Sequence, residues 1–277
     1  MTLFHHVDRA SRPNAAVAPR VTVARRQVDE LSLAEQLVSF VAPGSFAADQ
    51  YRSLRHIVEQ MQKASDLRVI AVTSPTPGDG KTITTLNLAG ALAQATGARV
   101  LLIDADLRRP SVEGYLPFGS ERVGGLVDAI VDTDVTLQQV VRRFERLNLA
   151  VLPAGTADRN TYELLTSPRF EALLTDARAH YDYVLIDTPP IVLVPDGRLI
   201  GRWADGFLVV IAAHKTPRRV LAEGLNLLDP AKVLGVVFNF DDRRLSGYGN
   251  YYGYRYGGSA QHSGRGTWWR RVLGIGA

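Results

Sequence analysis

The sequence predicts an α/β domain: a mostly parallel sheet with helices on both faces. Short apolar runs rich in branched side chains, suited to strands buried on both faces, alternate with segments whose apolar residues recur at helical spacing. Several of these runs close on an aspartate or a glycine loop, as expected where strand ends line a ligand crevice. The alternation places one domain over residues 46–242, with an N-terminal arm at 1–45 and a tail at 243–277.

Composition permits this layout. The chain has 277 residues and is 46% hydrophobic, enough for a sizeable core. It contains no cysteine, which excludes a disulfide framework and thiolate metal sites. A net charge of +4 is modest for this length and does not by itself argue for nucleic acid. The first thirty residues scatter Arg9, Arg12, Arg20, Arg25 and Arg26 among small and polar residues. They lack both a sustained apolar period and the basic-then-apolar order of a secretory segment, so a flexible arm and a cytoplasmic setting are expected.

From Phe46 to Met61 the spacing predicts a helix, with Phe46, Leu54, Ile57 and Met61 on its apolar side. Asp49, Arg52 and Arg55, three residues apart, lie near one another on its surface. They read either as a solvated face or as a subunit contact.

Val69–Thr73 is the first buried strand. Ser74, Pro75, Thr76, Pro77, Gly78, Asp79 and Gly80 cannot continue it, and Lys81 and Thr82 open a helix marked by Leu86, Ala89, Gly90 and Ala93. Strand, glycine loop, Lys-Thr and helix are the parts of a P-loop, which assigns the domain to the P-loop NTPase fold. Small residues let backbone N–H groups converge on phosphate oxygens, the lysine reaches the β/γ phosphates, and the threonine hydroxyl holds Mg²⁺. Pro75 stands where the usual pattern has its first glycine, and an ordinary glycine turn before a helix is the competing reading.

Arg99–Asp106 is a strand ending in Asp104 and Asp106, carboxylates placed to serve Mg²⁺ or a proton, or to cap a helix. Leu147–Leu152 is a further strand, followed by helical stretches at 160–165 and 170–178. Tyr183–Asp187 closes on Asp187, the usual second acidic position of P-loop enzymes. Strands at 207–212 and 233–238, with helices at 196–201 and 218–228, complete the domain.

Residues 247–258, GYGNYYGYRYGG, hold five tyrosines among five glycines: Tyr248, Tyr251, Tyr252, Tyr254 and Tyr256. That glycine density opposes a stable helix or core strand and presents the tyrosines on a flexible chain. A low-complexity segment without chemistry and a nucleic-acid-stacking segment are the alternatives, the second weakened because Arg255 is the only cation in the cluster. At the end, Trp268, Trp269, Arg270 and Arg271 beside Val272, Leu273 and Ile275 suit a membrane surface or a partner, in a segment too short to anchor alone.

Together these motifs resemble the bacterial tyrosine autokinases of capsule and exopolysaccharide synthesis, the BY-kinases, relatives of the deviant P-loop ATPases that include Mrp and MinD proteins. The resemblance spans residues 46–256 through SPTPGDGKT, LLIDADLRRP, LPAGTADRNTYELLTSPRF, YVLIDTPP and the tyrosine cluster. Thr76, where the MinD branch has a signature lysine, favours the kinase branch over a nucleotide-switched partitioning or positioning ATPase. The resemblance implies ATP and Mg²⁺ as cofactors, with Pro77, Gly78, Asp79, Gly80, Lys81, Thr82, Ile83 and Asn239 on the nucleotide. It implies Lys81, Asp104 and Asp106 as catalytic residues and Thr82, Asp104, Asp106 and Asp187 around the metal. Phosphate would pass to the tail tyrosines of a neighbouring subunit in a ring, with Asp49, Arg52 and Arg55 matching the family's Glu-x-x-Arg-x-x-Arg oligomer contact. A membrane-bound polysaccharide co-polymerase acting as activator is the implied partner. This would place the chain at the inner face of the membrane, with no nucleic acid involved.

Overall fold

The computed structural model describes residues 33–118, 124–156 and 160–241. The tyrosine cluster and the Trp/Arg end lie outside the described residues, as do residues 1–32. Among the described residues no helix is long and apolar enough to cross a membrane.

The chain opens with a single helical turn, α1 (Val38–Val41), and the long α2 (Phe46–Ser65), whose N-cap Ser45 accepts the Ala48 N–H. The first strand, β1 (Val69–Thr73), leads through the P-loop into α3 (Lys81–Ala93) and β2 (Val100–Asp104). Then come α4 (Leu126–Val131), α5 (Leu137–Val140), β3 (Arg142–Phe144) and β4 (Leu149–Leu152). The remainder is α6 (Thr161–Thr166), α7 (Pro168–His180), β5 (Tyr183–Asp187), α8 (Asp196–Ile200), β6 (Gly206–Ala212), α9 (Arg218–Asn226) and β7 (Val233–Asn239).

The seven strands order as β3-β4-β2-β5-β1-β6-β7. Only β3, against β4, is antiparallel. Period-2 alternation divides the strand side chains between two cores. Val69, Ala71, Leu101, Ile103, Val184 and Ile186 face one side, where α7 contributes Phe170, Leu173 and Leu174. Ile70, Val72, Val100, Leu102 and Leu185 face the other, where α3 contributes Leu86, Leu88 and Leu92 and α2 contributes Val58. Both faces are therefore covered, as the uninterrupted apolar runs predict, and the ends of β1, β2 and β5 are brought side by side.

Three expectations need correction. Residues 33–45 pack against the domain instead of belonging to an arm: Leu37 is fully buried, the Ser39 N–H donates to the Asn87 Oδ1, and Asn87 Nδ2 donates to the Gln36 carbonyl. The apolar side of α2 is only partly where it is expected: Leu54 and Met61 pack against the core, but Phe46 and Ile57 do not. Ala48 and Val58 are buried while Phe46 and Ile57 are more than half exposed, because the helix docks through the face that meets α3. The strand expected over Arg99–Asp106 stops at Asp104, leaving Asp106 in the loop beyond it. In the same region β3, α4 and α5 carry no usable sequence period because each is six residues or shorter.

Asp205 fixes the start of β1. Its Oδ2 accepts the N–H groups of Arg68 at 2.9 Å and Val69 at 2.8 Å, and its Oδ1 pairs with Arg178. Burial opposes its charge, but Arg178 and the two N–H groups outweigh burial and hold the carboxyl below its usual value. A lowered folded pKa contributes stability that is present above the unfolded value, near about 3.9, and is lost as pH falls through the folded one. Asp205→Ala is expected to cost about 1–2 kcal/mol in urea unfolding at pH 7, solvent access to the Arg178 pair keeping the figure low. That difference should shrink as the pH is lowered below 4 by about a unit or more.

Candidate nucleotide and phosphoryl-transfer site

The loop after β1 turns because Gly78 and Gly80 adopt φ of +80° and +91°, a region closed to most side chains. Asp79 holds it from within. Its Oδ2 accepts the Thr76 N–H and hydroxyl at 3.0 and 2.9 Å, and its Oδ1 accepts the Thr216 hydroxyl at 2.7 Å. Asn239, at the end of β7, donates to the Asp79 carbonyl at 3.1 Å. A Cβ on Gly80 would lie 1.9 Å from the Asn239 Nδ2. Gly80→Ala therefore combines a forbidden φ with a clash and is expected to lose about 1–3 kcal/mol in denaturant unfolding.

Lys81 and Thr82 begin α3 and face the carboxyl ends of β2 and β5. The Lys81 ammonium lies 2.9 Å from Asp106 Oδ2 and 3.5 Å from Asp187 Oδ2. Burial lowers its affinity for a proton, yet Asp187, Asp106 and Asp104 outweigh that and raise its pKa, so it stays charged. The Thr82 hydroxyl donates to Asp187 Oδ2 at 2.6 Å and meets the Ser111 hydroxyl at 3.1 Å. Asp187 is fully buried and its Oδ1 has no hydrogen-bond partner. Burial pushes its pKa upward.

Asp104 plays a different part from its neighbours. Its Oδ1 accepts the Asp106 N–H at 3.2 Å, and its Oδ2 accepts those of Ser111 and Val112, both at 3.0 Å. It clamps the loop after β2 and is fully buried. Burial and then the Asp187 charge push its pKa up to about 7. Asp106, by contrast, lines the open cleft.

That cleft holds about 540 Å³ and runs from Pro77–Ile83 past Asp106, Arg109 and Tyr115 to Leu193, with Phe240 at its rim. Arg108 does not reach into it as a free cation: its guanidinium pairs with the buried Asp196 at 2.7 Å, tying the loop after β2 to α8. Ser111, Thr216 and the Arg108–Asp196 pair are absent from the sequence-based set. Each joins positions far apart in the chain and leaves no local signal in the sequence.

A bound divalent cation fits this donor set. The orphaned Asp187 Oδ1 and the Thr82 hydroxyl lie beside Lys81, and no group of three acidic, His or Cys side chains forms a closed cage among the described residues. Mg²⁺ in nucleotide sites is held by one or two protein oxygens together with phosphates and water, which is what such an open arrangement offers. The expected four-residue set of Thr82, Asp104, Asp106 and Asp187 is thus brought together around Lys81, but with Asp104 turned to the loop backbone.

The residues expected at an oligomer contact are paired within the chain. Asp49 pairs with Arg52, which also donates to the Pro43 carbonyl; Arg55 meets Glu59 at 2.6 Å and the Ala91 carbonyl at 3.1 Å.

The family description "AAA domain" matches residues 67–216, from β1 to the turn after β6. Tyrosine-protein kinase YwqD of Bacillus subtilis (strain 168) is 35% identical over 217 residues, covering 78% of this chain and 89% of YwqD. The chain belongs to the bacterial tyrosine-protein kinases. The kinase domain of Escherichia coli tyrosine kinase ETK superposes with a TM-score of 0.70 at 27% identity, covering 79% of this kinase and 84% of ETK's domain. This kinase is also 35% identical, over 227 residues, to the succinoglycan biosynthesis transport protein ExoP of Rhizobium meliloti (strain 1021). The match covers 78% of the kinase but 28% of ExoP's length. Membership makes the chain a protein-tyrosine kinase on a P-loop NTPase fold.

Proposed function

We propose that this kinase transfers the γ-phosphate of ATP, with Mg²⁺, to the tyrosine cluster Tyr248–Tyr256 of a neighbouring copy, and so regulates synthesis or export of an extracellular polysaccharide. The observation that carries the reading is the meeting of Lys81, Thr82, Asp106 and Asp187 at adjoining strand ends beside one cleft. Phosphoryl transfer needs alignment and charge neutralisation more than covalent chemistry, and this set supplies both.

The chain's own residues divide the work. The loop from Gly78 to Gly80 offers backbone N–H groups to the phosphates, and Lys81, which exchanges its carboxylate partners for phosphate oxygens, balances their charge. Thr82 and Asp187 hold the cation, which when bound neutralises charge on the transferring group. Asp106, the cleft-facing carboxylate, is better placed than the clamped Asp104 to receive the acceptor hydroxyl's proton, which otherwise leaves at a pKa near about 10. Tyr115, Pro189 and Leu193 give the far end of the cleft an apolar wall for an aromatic ring. Asn239 reaches the loop from β7 and takes the base side. Asp49, Arg52 and Arg55 exchange internal partners for those of a neighbouring copy in a ring. The polysaccharide role rests on ExoP's name, and a membrane-bound polysaccharide co-polymerase is the activator.

Incubation with ATP and Mg²⁺, with and without the cytoplasmic part of that activator, followed by phosphosite mapping tests the reading. Phosphate should appear on Tyr248, Tyr251, Tyr252, Tyr254 or Tyr256. A chain that hydrolyses ATP but never labels tyrosine, and whose deletion of 245–277 leaves its biological output unchanged, would be a nucleotide-switched ATPase of the MinD type instead.

A further inference from the structure

We propose that Lys215 is a second phosphate-binding cation of the nucleotide site, an inference that rests on the nucleotide reading of the loop. Lys215 lies in the turn between β6 and α9, more than a hundred residues from the P-loop. Yet its ammonium is 3.5 Å from the point where a Cβ on Gly78 would stand, over the glycine that opens the loop. Among the described residues no carboxylate pairs with it, whereas Lys81 is engaged by Asp106 and Asp187 and Arg108 by Asp196.

The turn that carries Lys215 is held in register with the loop. The Thr216 hydroxyl donates to Asp79 Oδ1 at 2.7 Å and accepts the Ala212 N–H at 3.0 Å. The N–H groups of Lys215 and Thr216 both donate to the Ala212 carbonyl, and His214 takes a left-handed φ of +61° to make the turn. The Ala213 N–H donates to the carbonyl of Asn239, whose side chain in turn holds the Asp79 carbonyl. The backbone on either side of Lys215 is thus tied to Asp79 while its side chain extends free over Gly78.

Charge explains why a polyphosphate would use it. The Lys81 ammonium is already engaged by Asp106 and Asp187, so an arriving polyphosphate gains from a further cation with no carboxylate partner. A lysine side chain is a compact charge with three donors on a flexible stem, able to swing from above Gly78 onto a phosphate oxygen held by the loop N–H groups. Such a contact is a charge-assisted hydrogen bond.

The test is equilibrium binding of ATP, ADP and adenosine to the full chain by calorimetry, comparing wild type with Lys215→Ala, Lys215→Arg and Lys215→Glu. Lys215→Ala should weaken ATP and ADP by about fivefold to twentyfold, Lys215→Glu by more, and Lys215→Arg should restore most of the loss. Adenosine should bind all four proteins alike, and the salt dependence of ATP binding should flatten in Lys215→Ala. ATP and ADP affinities within twofold of wild type in Lys215→Ala, or an equal loss for adenosine, would overturn the assignment while leaving the nucleotide site intact. A wild-type chain that binds no ATP would overturn the nucleotide reading itself, and Lys215 with it.

Discussion

Lys81→Met is expected to lower tyrosine phosphorylation by roughly 10²–10³-fold, the range seen when one preorganised charge-stabilising donor is removed from a transition state. The methionine keeps the length of the side chain and removes the charge. Two carboxylates, Asp106 and Asp187, then lose the ammonium between them. The loop N–H groups remain, so ATP binding should weaken less than the chemical step does. Single-turnover transfer compared with equilibrium ATP affinity checks this. Equal losses in both would mean that Lys81 acts on the bound nucleotide alone and contributes nothing further as the phosphoryl group moves.

Asp187→Asn is expected to reduce transfer by a comparable factor, roughly 10²–10³-fold, for a different reason. Asp187 Oδ2 takes the Thr82 hydroxyl, and an asparagine carbonyl can keep that bond. The amide group then replaces the unpartnered Oδ1 and presents hydrogens where an oxygen ligand is needed. Raising Mg²⁺ should recover part of the activity, and ATP affinity measured without metal should change little. Stability should move the other way. The raised folded pKa means that the ionised Asp187 disfavours the folded state above the unfolded pKa, a cost present at neutral pH and absent once pH falls below that value. The variant's thermal midpoint at pH 7 should therefore match or exceed that of wild type. A sharp fall would assign Asp187 to holding the fold together, and would remove it from the metal-binding set.

Much of this site is legible before any coordinates because its parts sit at points the chain cannot disguise. A buried parallel strand must be apolar throughout, so the aspartate that ends it stands out, and strand ends in one sheet converge on one crevice. Asp104 and Asp187 follow from that logic, and Lys81 and Thr82 from the glycine loop between strand and helix. What the pattern does not separate is the work of neighbouring carboxylates: Asp104 and Asp106 look alike in sequence, and only the N–H groups of Ser111 and Val112 make the first a clamp. Tertiary partners were equally hidden. Thr216 and Lys215 reach the loop from the turn after β6, across 130 or more positions with no local signal, whereas Asn239 is named in advance only through the family resemblance. Residues 33–45 escaped because Leu37 and Phe40 sit in a stretch broken by Pro43 and Gly44, too short to show a helical period. The apolar side of α2 was only partly legible since Phe46 and Ile57, large and apolar, lie on its exposed side.

Transfer from the P-loop of one copy to the tail of another is tested directly by one mixing experiment. The Lys81→Met chain, with its tyrosines intact, is combined with an otherwise wild-type chain in which Tyr248, Tyr251, Tyr252, Tyr254 and Tyr256 are changed to Phe. With ATP, Mg²⁺ and the activator, phosphotyrosine is expected on the tail of the Lys81→Met chain, although neither protein labels its own tail alone. If wild type labels its tail under the same conditions while the Lys81→Met tail stays unmodified in the mixture, transfer between copies is contradicted.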